Sequence, residues 1–418
     1  MDTKRLTKIG IGCTVAMLIP TIILGWWAID WARGVAEWSE KADEFPTVSE
    51  LRGPAIPDAE NAALIYQQAW EALNLTDSEG RLLASSDDPT VLAPIIAKNR
   101  EPLRLFHEAA RMEHCRFEWK FVPVGMDAEL SQMRKLTRLP RGEAVLALLH
   151  DDTDRALGCV EDISRHVAQR LHSPANTMDF AFTVMALNIA ENSLVDLLST
   201  MDLPADWSAA LRQQLVRLDP KAAFMAALRT DVAAGLEMLD RRMEGDAPAS
   251  EHGERPGLSD YVMLTLNRAK LMEVSEAALG RADLPRRELS RMEPVSIPDS
   301  SFYLWAQMLQ PFANAAGGRD SQLATREMML VALDISAFAA ENGRLPNSLD
   351  ELPQSDEPDY AIDPFSGERL RYEPGEGRAF KLWSVGRDLD DDGGVARGDE
   401  PDLSWDEIDL VFRVAPTP

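Results

Sequence analysis

Between Ile9 and Ile29 the chain carries no charged residue, an apolar run of the ~20 residues a helix needs to cross the hydrocarbon core of a bilayer. Beyond it the pattern becomes amphipathic. Ala62, Leu64, Ile65, Ala69 and Leu73 recur at helical spacing, and Asp58 is placed to cap the helix they predict. Ser78 to Pro89 reads as a polar turn. From Thr90 to Glu244 one helix follows another: Leu157, Val160, Ile163, Val167 and Leu171 form one stripe, and Met225, Leu228, Val232, Leu236, Leu239 and Met243 another. Ser173-Pro174 and Asp219-Pro220 look like N-cap and first-turn proline pairs, in which proline gives up no needed N–H. Phe180 to Leu198 is apolar on nearly every face but interrupted by Asp179, Glu191 and Asp196, which predicts a buried central helix rather than a second span.

Gly245 to Gly257 predicts a loop, Leu258 to Leu279 a helix, and Pro285 to Ser300 a break. Helices are expected near Phe302 to Ala315 and from Ser321 to Asn342. After Gly343 the period falls towards two. Leu370 to Tyr372, Phe380 to Ser384 and Leu410 to Val414 predict three short strands.

Charge gives the first apolar run a direction. Lys4, Arg5 and Lys8 precede it, whereas Asp30, Glu37, Glu40, Asp43 and Glu44 follow. The Lys/Arg bias keeps the N-terminus in the cytoplasm and sends the bulk of the chain to the outside. Trp26, Trp27 and Trp31 stand at the exit, where an indole can seat its ring among headgroups. A cleaved signal peptide would have a shorter core and small residues at its end. A lipid attached at Cys13 would leave most of the apolar run on the wrong side of the cysteine. An uncleaved anchor fits best.

The formal charge of −26 repels nucleic acid, and no basic stripe with interleaved aromatics offsets it. Cys115 and Cys159 are the cysteines outside the anchor. In an oxidising compartment they could pair, could stay as buried thiols, or one could serve as a reactive thiol, with His114 and Arg116 flanking Cys115.

No GxSxG elbow, HExxH pair, P-loop or dinucleotide fingerprint is present. The six histidines are scattered and read as surface or ordinary core residues. Paired carboxylates cannot be singled out among 69 acidic residues. One local pattern carries chemistry. Asp388, Asp390 and Asp392 fall at positions 1, 3 and 5 of a loop, with Gly393 at 6 and Asp399 at 12. Alternating carboxylates on a tight turn supply the hard oxygens calcium requires, and glycine permits the bend. The plain alternative is a solvated acidic turn.

The C-terminal quarter resembles the globular domain of the major pseudopilin of type II secretion systems. The resemblance rests on Glu341-Asn342-Gly343-Arg344-Leu345-Pro346, on Asp363-Pro364-Phe365-Ser366-Gly367, and on Leu382 to Asp388 with Gly393-Gly394, in that order. It implies a small α+β module whose last loop binds calcium. The cleavage motif and adjoining spine of that family are absent here, which argues against polymerisation. The remainder, including Asp58 to Ala63 and Cys115-Arg116, is similar to bacterial membrane-anchored helical proteins without an assigned activity.

The expectation is therefore a mainly α chain: a cytoplasmic tail 1–8, an anchor 9–29, a juxtamembrane helix and linker 30–57, a helical domain 58–318 and a pseudopilin-like domain 319–418. Its expected role is a non-enzymatic scaffold or an interaction protein linked to secretion, with protein partners in the cell envelope. The alternatives are an extracytoplasmic hydrolase with an unmarked carboxylate site and a calcium-stabilised pseudopilin-like subunit.

Overall fold

The computed structural model describes residues 28–117, 126–174, 176–245, 257–293, 311–353, 359–395 and 409–415. The apolar run 9–29 therefore lies outside the described residues except for its end. The fold is mainly helical, with a small three-stranded antiparallel sheet near the C-terminus. By contacts the chain divides into two compact units.

One unit holds the chain up to Val48 and the stretch from Val232 to Ala278. Its first described helix, α1, covers 28–44 of the described residues, with Ile29 and Trp31 exposed. Arg268, on a helix spanning Leu258–Leu279, ties this unit together: it donates to Asp240 at 2.8 Å and to the carbonyl of Ser39, and pairs with Asp43 at 2.9 Å. Gly235 lets that helix approach closely, since a Cβ there would meet Leu271 Cδ2 at 3.0 Å.

The other unit holds Ser49–Asp231, Leu279–Pro294 and the chain from Pro311. Its helices are α2 (Val48–Arg52), α3 (Ala62–Glu71), α4 (Asp77–Ser85), α5 (Pro89–Lys98), α6 (Arg100–Ala110), α7 (Met126–Leu149), α8 (Thr153–His172), α9 (Thr177–Thr200) and α10 (Ala205–Val216). The first turns of α11 (Pro220–Glu244), a short α12 (Arg286–Leu289) and α13 (Pro311–Asn342) complete it. α7 and α8 form an antiparallel hairpin that turns at Asp151, whose φ of 57° is left-handed, and Asp152 caps α8 by accepting from Arg155 N.

By length and composition α9 is apolar enough to cross a membrane, yet 56% of its most apolar window is buried inside the protein. It packs against α7, α8 and α13, and Phe180, Ala186, Ala190, Leu194 and Leu197 are fully enclosed. Asp179 within it is paired with the buried Arg170 of α8. α13 is also apolar around its whole circumference from Met328 to Leu333, which places it in the core.

Several local expectations change. Asp58 opens only a 3₁₀ turn, and Asn61 caps α3 instead: its side chain accepts from Ala63 N and Arg116 N and donates to the Arg116 carbonyl. Asn61 wins because it serves two chain segments at once. The predicted polar turn at Ser78 is helix α4, started by a capping box in which Thr76 and Glu79 exchange hydrogen bonds. Leu83 on α4 is fully buried. Asn176, not Ser173, caps α9, whereas Asp219 does cap α11 through Ala222 N at 2.9 Å.

The helix expected to end near Ala315 and the one expected from Ser321 are one helix across Gly317-Gly318, so the expected boundary at 318/319 falls inside it. Packing outweighs glycine's weak propensity there, because the bare backbone takes Arg387 and Val184 side chains directly against it.

The strands are β1 (Arg371–Pro374), β2 (Phe380–Ser384) and β3 (Leu410–Val414), in the order β1-β2-β3. Leu382 of β2 stands between Tyr372 and Phe412. Phe380, Leu382 and Ser384 face inward, and the sheet packs on α9 and α13. The Asp363 turn is pinned to the end of β2. Ser384 Oγ donates to Asp363 Oδ1 at 2.7 Å, Val385 N donates to Oδ2, and Phe365 inserts fully buried beside Ala324 and Val385.

Candidate functional site

The most concentrated chemistry in the described residues lies where α6 meets the α7–α8 hairpin. α6 buries Leu103, Phe106, Ala109 and Ala110, and this face carries His107 inward with them. Glu143 on α7 and Cys159 on α8 are 16 apart in sequence. They sit symmetrically about the Asp151 turn, so the hairpin sets them opposite each other. Asp162 is one helical turn beyond Cys159 on the same face of α8.

His107 is held from both ends. Nδ1 lies 2.7 Å from Asp162 Oδ2 and Nε2 lies 2.8 Å from Glu143 Oε2. An ionised carboxylate only accepts, so with Asp162 and Glu143 both ionised each ring nitrogen donates and the contacts favour the imidazolium. Burial alone would lower its pKa, but the hydrogen bonds to Asp162 and Glu143 outweigh burial and raise it. The same exchange runs in reverse for the acids. Burial pushes Glu143 and Asp162 up, while the bonds from His107 with Arg155, and from His107 with Arg111, bring them below the usual range.

Arg155 Nε donates to Glu143 Oε1 at 2.9 Å, and Arg111 and Arg165 each reach Asp162 at 3.1 Å. The Cys159 thiol donates to Glu143 Oε2 at 3.3 Å. Burial and the adjacent Glu143 carboxylate hold that thiol protonated, far above its usual range. His107, Glu143 and Cys159 offer ligand atoms that all lie within 4.8 Å of one another, and they are the group of three or more that does so among the described residues.

This network floors an open cleft of about 680 Å³, a size suited to a small ligand. Ile96 and Leu103 supply its apolar wall, and Arg100, Arg104, Arg111 and Arg155 line it. Arg104 is neutralised by Glu101 and Glu108, both at 2.7 Å. Arg100 is exposed and has no hydrogen-bond or ion-pair partner among the described residues. A second cleft of about 430 Å³, near Asp320 and Asp363, is lined by charges that largely pair internally, such as Arg326 with Glu327 and Arg319 with Asp320.

The aspartates singled out by the loop pattern stand elsewhere. Asp388, Asp390 and Asp392 are exposed on the segment after β2, and Asp399 lies outside the described residues. Asp388 Oδ1 accepts from Asp390 N at 3.2 Å. Asp391, which the spacing passes over, is bound by Arg371 and by Trp383 Nε1. Asp409 was not foreseen. It is buried, accepts from Gly394 N through Oδ2, and leaves Oδ1 without a hydrogen-bond partner among the described residues. Burial, followed by the charges of Asp391, Asp392 and Asp388, pushes its carboxyl up to about 6.

Both cysteines outside the apolar run are buried free thiols. Burial pushes Cys115 up to about 12, the opposite of what a nucleophilic thiol requires. The His107 network escaped sequence reasoning because its members come from three helices, with His107 55 residues from Asp162 and 36 from Glu143. The one usable signal was the symmetry of Glu143 and Cys159 about a turn. No family model, curated protein or solved structure matches the chain.

Proposed function

We propose that the chain is a membrane-tethered, extracytoplasmic binding protein of non-enzymatic type, whose helical body receives a small oxyanion in the arginine-lined cleft. The observation that carries this reading is the exposed Arg100 guanidinium, unpaired among the described residues, at a cleft where Arg104, Arg111 and Arg155 are each already paired with a carboxylate. Guanidinium groups present forked donors that match carboxylate or phosphate oxygens. The tether is the apolar run 9–29, and the exposure of Ile29 and Trp31 at its far end supports that reading. Titration calorimetry of the full-length protein in detergent with inorganic phosphate and with succinate tests the cleft. Binding by wild type that weakens about tenfold or more in Arg100→Ala is expected, and heat-silent titrations with both anions overturn the reading. Protease accessibility of a C-terminal tag in intact cells tests the topology.

A second reading, an extracytoplasmic hydrolase, is favoured by a specific observation: His107 and Glu143, an acid–base pair, meet on the floor of that cleft. The pseudopilin-like module remains part of the proposal. It draws support from the helix α13, the Asp363 turn locked to β2 and the antiparallel sheet, and the calcium assigned to Asp388, Asp390, Asp392 and Asp399 would relieve the charge pressing on Asp409. As a tethered scaffold the chain would meet protein partners in the cell envelope. In-cell crosslinking that captures no partner specifically counts against that role.

A further inference from the structure

We propose that His107, Glu143 and Cys159 form a binding site for a zinc-class divalent transition metal, with Asp162 as the residue that positions the imidazole. The donors are one nitrogen, one carboxylate oxygen and one sulfur, converging within 4.8 Å from three helices. Calcium and magnesium demand all-oxygen shells, so the mixed set selects a borderline ion such as Zn²⁺. Three protein ligands leave a fourth position, and here it opens on the cleft that His107 and Glu143 line.

The surroundings fit the same use. Asp162 Oδ2 takes the Nδ1 proton of His107 at 2.7 Å, the carboxylate–histidine arrangement that fixes a metal ligand's tautomer and strengthens it as a donor. Arg155 occupies Glu143 Oε1, which leaves Oε2 facing both His107 Nε2 and Cys159 Sγ. A tetrahedral zinc holds its ligand atoms about 3.3–3.7 Å apart. The Sγ to Oε2 separation is already 3.3 Å, the Nε2 to Oε2 separation of 2.8 Å would open by about half an ångström, and Nε2 and Sγ, within 4.8 Å, would close to complete the set.

Charge also balances. Glu143 Oε2 is the common partner of His107 Nε2 and of the Cys159 thiol. Metal entry breaks the N–H and S–H bonds, releases both protons to water and forms bonds from nitrogen, sulfur and oxygen to the ion. Where His107 Nε2 and Cys159 Sγ both start protonated, two protons leave for one dication and the net charge of the site is unchanged.

The test uses full-length protein in detergent, stripped of metal with a chelator and titrated with Co²⁺. Expected are about one Co²⁺ per chain, a thiolate-to-cobalt charge-transfer band, and the intense visible bands of a tetrahedral ion. Protons should be released as Co²⁺ enters in weak buffer, so affinity should rise with pH. Cys159→Ser should abolish the charge-transfer band and Cys115→Ser should keep it. Asp162→Asn should weaken binding about 10–100-fold while retaining the band. Wild type that shows no charge-transfer band with excess Co²⁺, or a band that survives Cys159→Ser, overturns the proposal. Because wild type alone can give the first result, a misfolded variant does not rescue it. Anion titrations of the cleft are read separately, so the two assignments can fail independently.

Discussion

Asp162→Ala isolates the energetics of the buried network. The Asp162 side chain is 1% exposed and accepts from His107, Arg111 and Arg165. Removing it strands the three donors unequally. The Arg111 and Arg165 side chains, 59% and 35% exposed, can turn to water at little cost. His107, 8% exposed, cannot, and keeps a buried donor with no acceptor. Breaking a buried charged pair in this way costs about 3–5 kcal/mol. In a unit of this size, at roughly 2 °C per kcal/mol, the melting temperature should fall by about 6–10 °C.

The pH profile carries the mechanism. His107 has a raised pKa in the folded protein, so its contribution is complete below the unfolded value of ~6.5 and is lost as pH rises through the folded one. Asp162 is lowered, so its contribution is present above ~3.9 and is lost as pH falls through its folded value. The gap between wild type and variant should therefore be widest in mildly acidic solution and should narrow with rising pH. Thermal melts followed by circular dichroism from pH 5 to 9 measure it. A loss below about 1 kcal/mol, or a gap flat across that range, refutes a buried imidazolium.

Three further outcomes follow from the packing. Gly142→Ala places a Cβ 2.6 Å from Leu83 Cδ2 and 3.3 Å from Ile96 Cδ1, so denaturant melts should show a loss of about 1–3 kcal/mol. Phe365→Ala empties a fully buried ring site between α13 and the sheet, costing about 3–5 kcal/mol, and should speed amide exchange in β2 first. Asp409 is an acid raised by burial, so its ionised form opposes folding. Asp409→Asn should raise the melting temperature at pH 7.5 without calcium, with the gain shrinking as pH falls through about 6 towards 4. Added calcium should stabilise wild type and not Asp390→Asn. An equal response of both removes the loop assignment.

Much of this molecule is written in short-range pattern. The α8 stripe Leu157-Val160-Ile163-Val167-Leu171 is buried throughout, and the three strands lie within a residue or two of the runs that predict them. The apolar Phe180 to Leu198 becomes a core helix, as its embedded acids imply, with Asp179 beside them neutralised by Arg170. These features are legible because helix and strand periods are properties of neighbours in sequence.

What only the tertiary structure decided depends on which surfaces meet. Asn61 outranks Asp58 as a cap because Arg116 comes to lie beside it. Gly317-Gly318 stays helical because Arg387 and Val184 pack against the bare backbone. Asp409 becomes a buried acid only because the chain entering β3 comes to lie against the Gly394 N–H. Above all, His107 looked like an ordinary histidine until α6 docked on the α7–α8 hairpin. Docking brought two carboxylates and a thiol to its edges and excluded water from between them. The sequence determines the strength of each donor and acceptor locally, but a site is made by proximity and desolvation, and both arise only when distant helices share one interior.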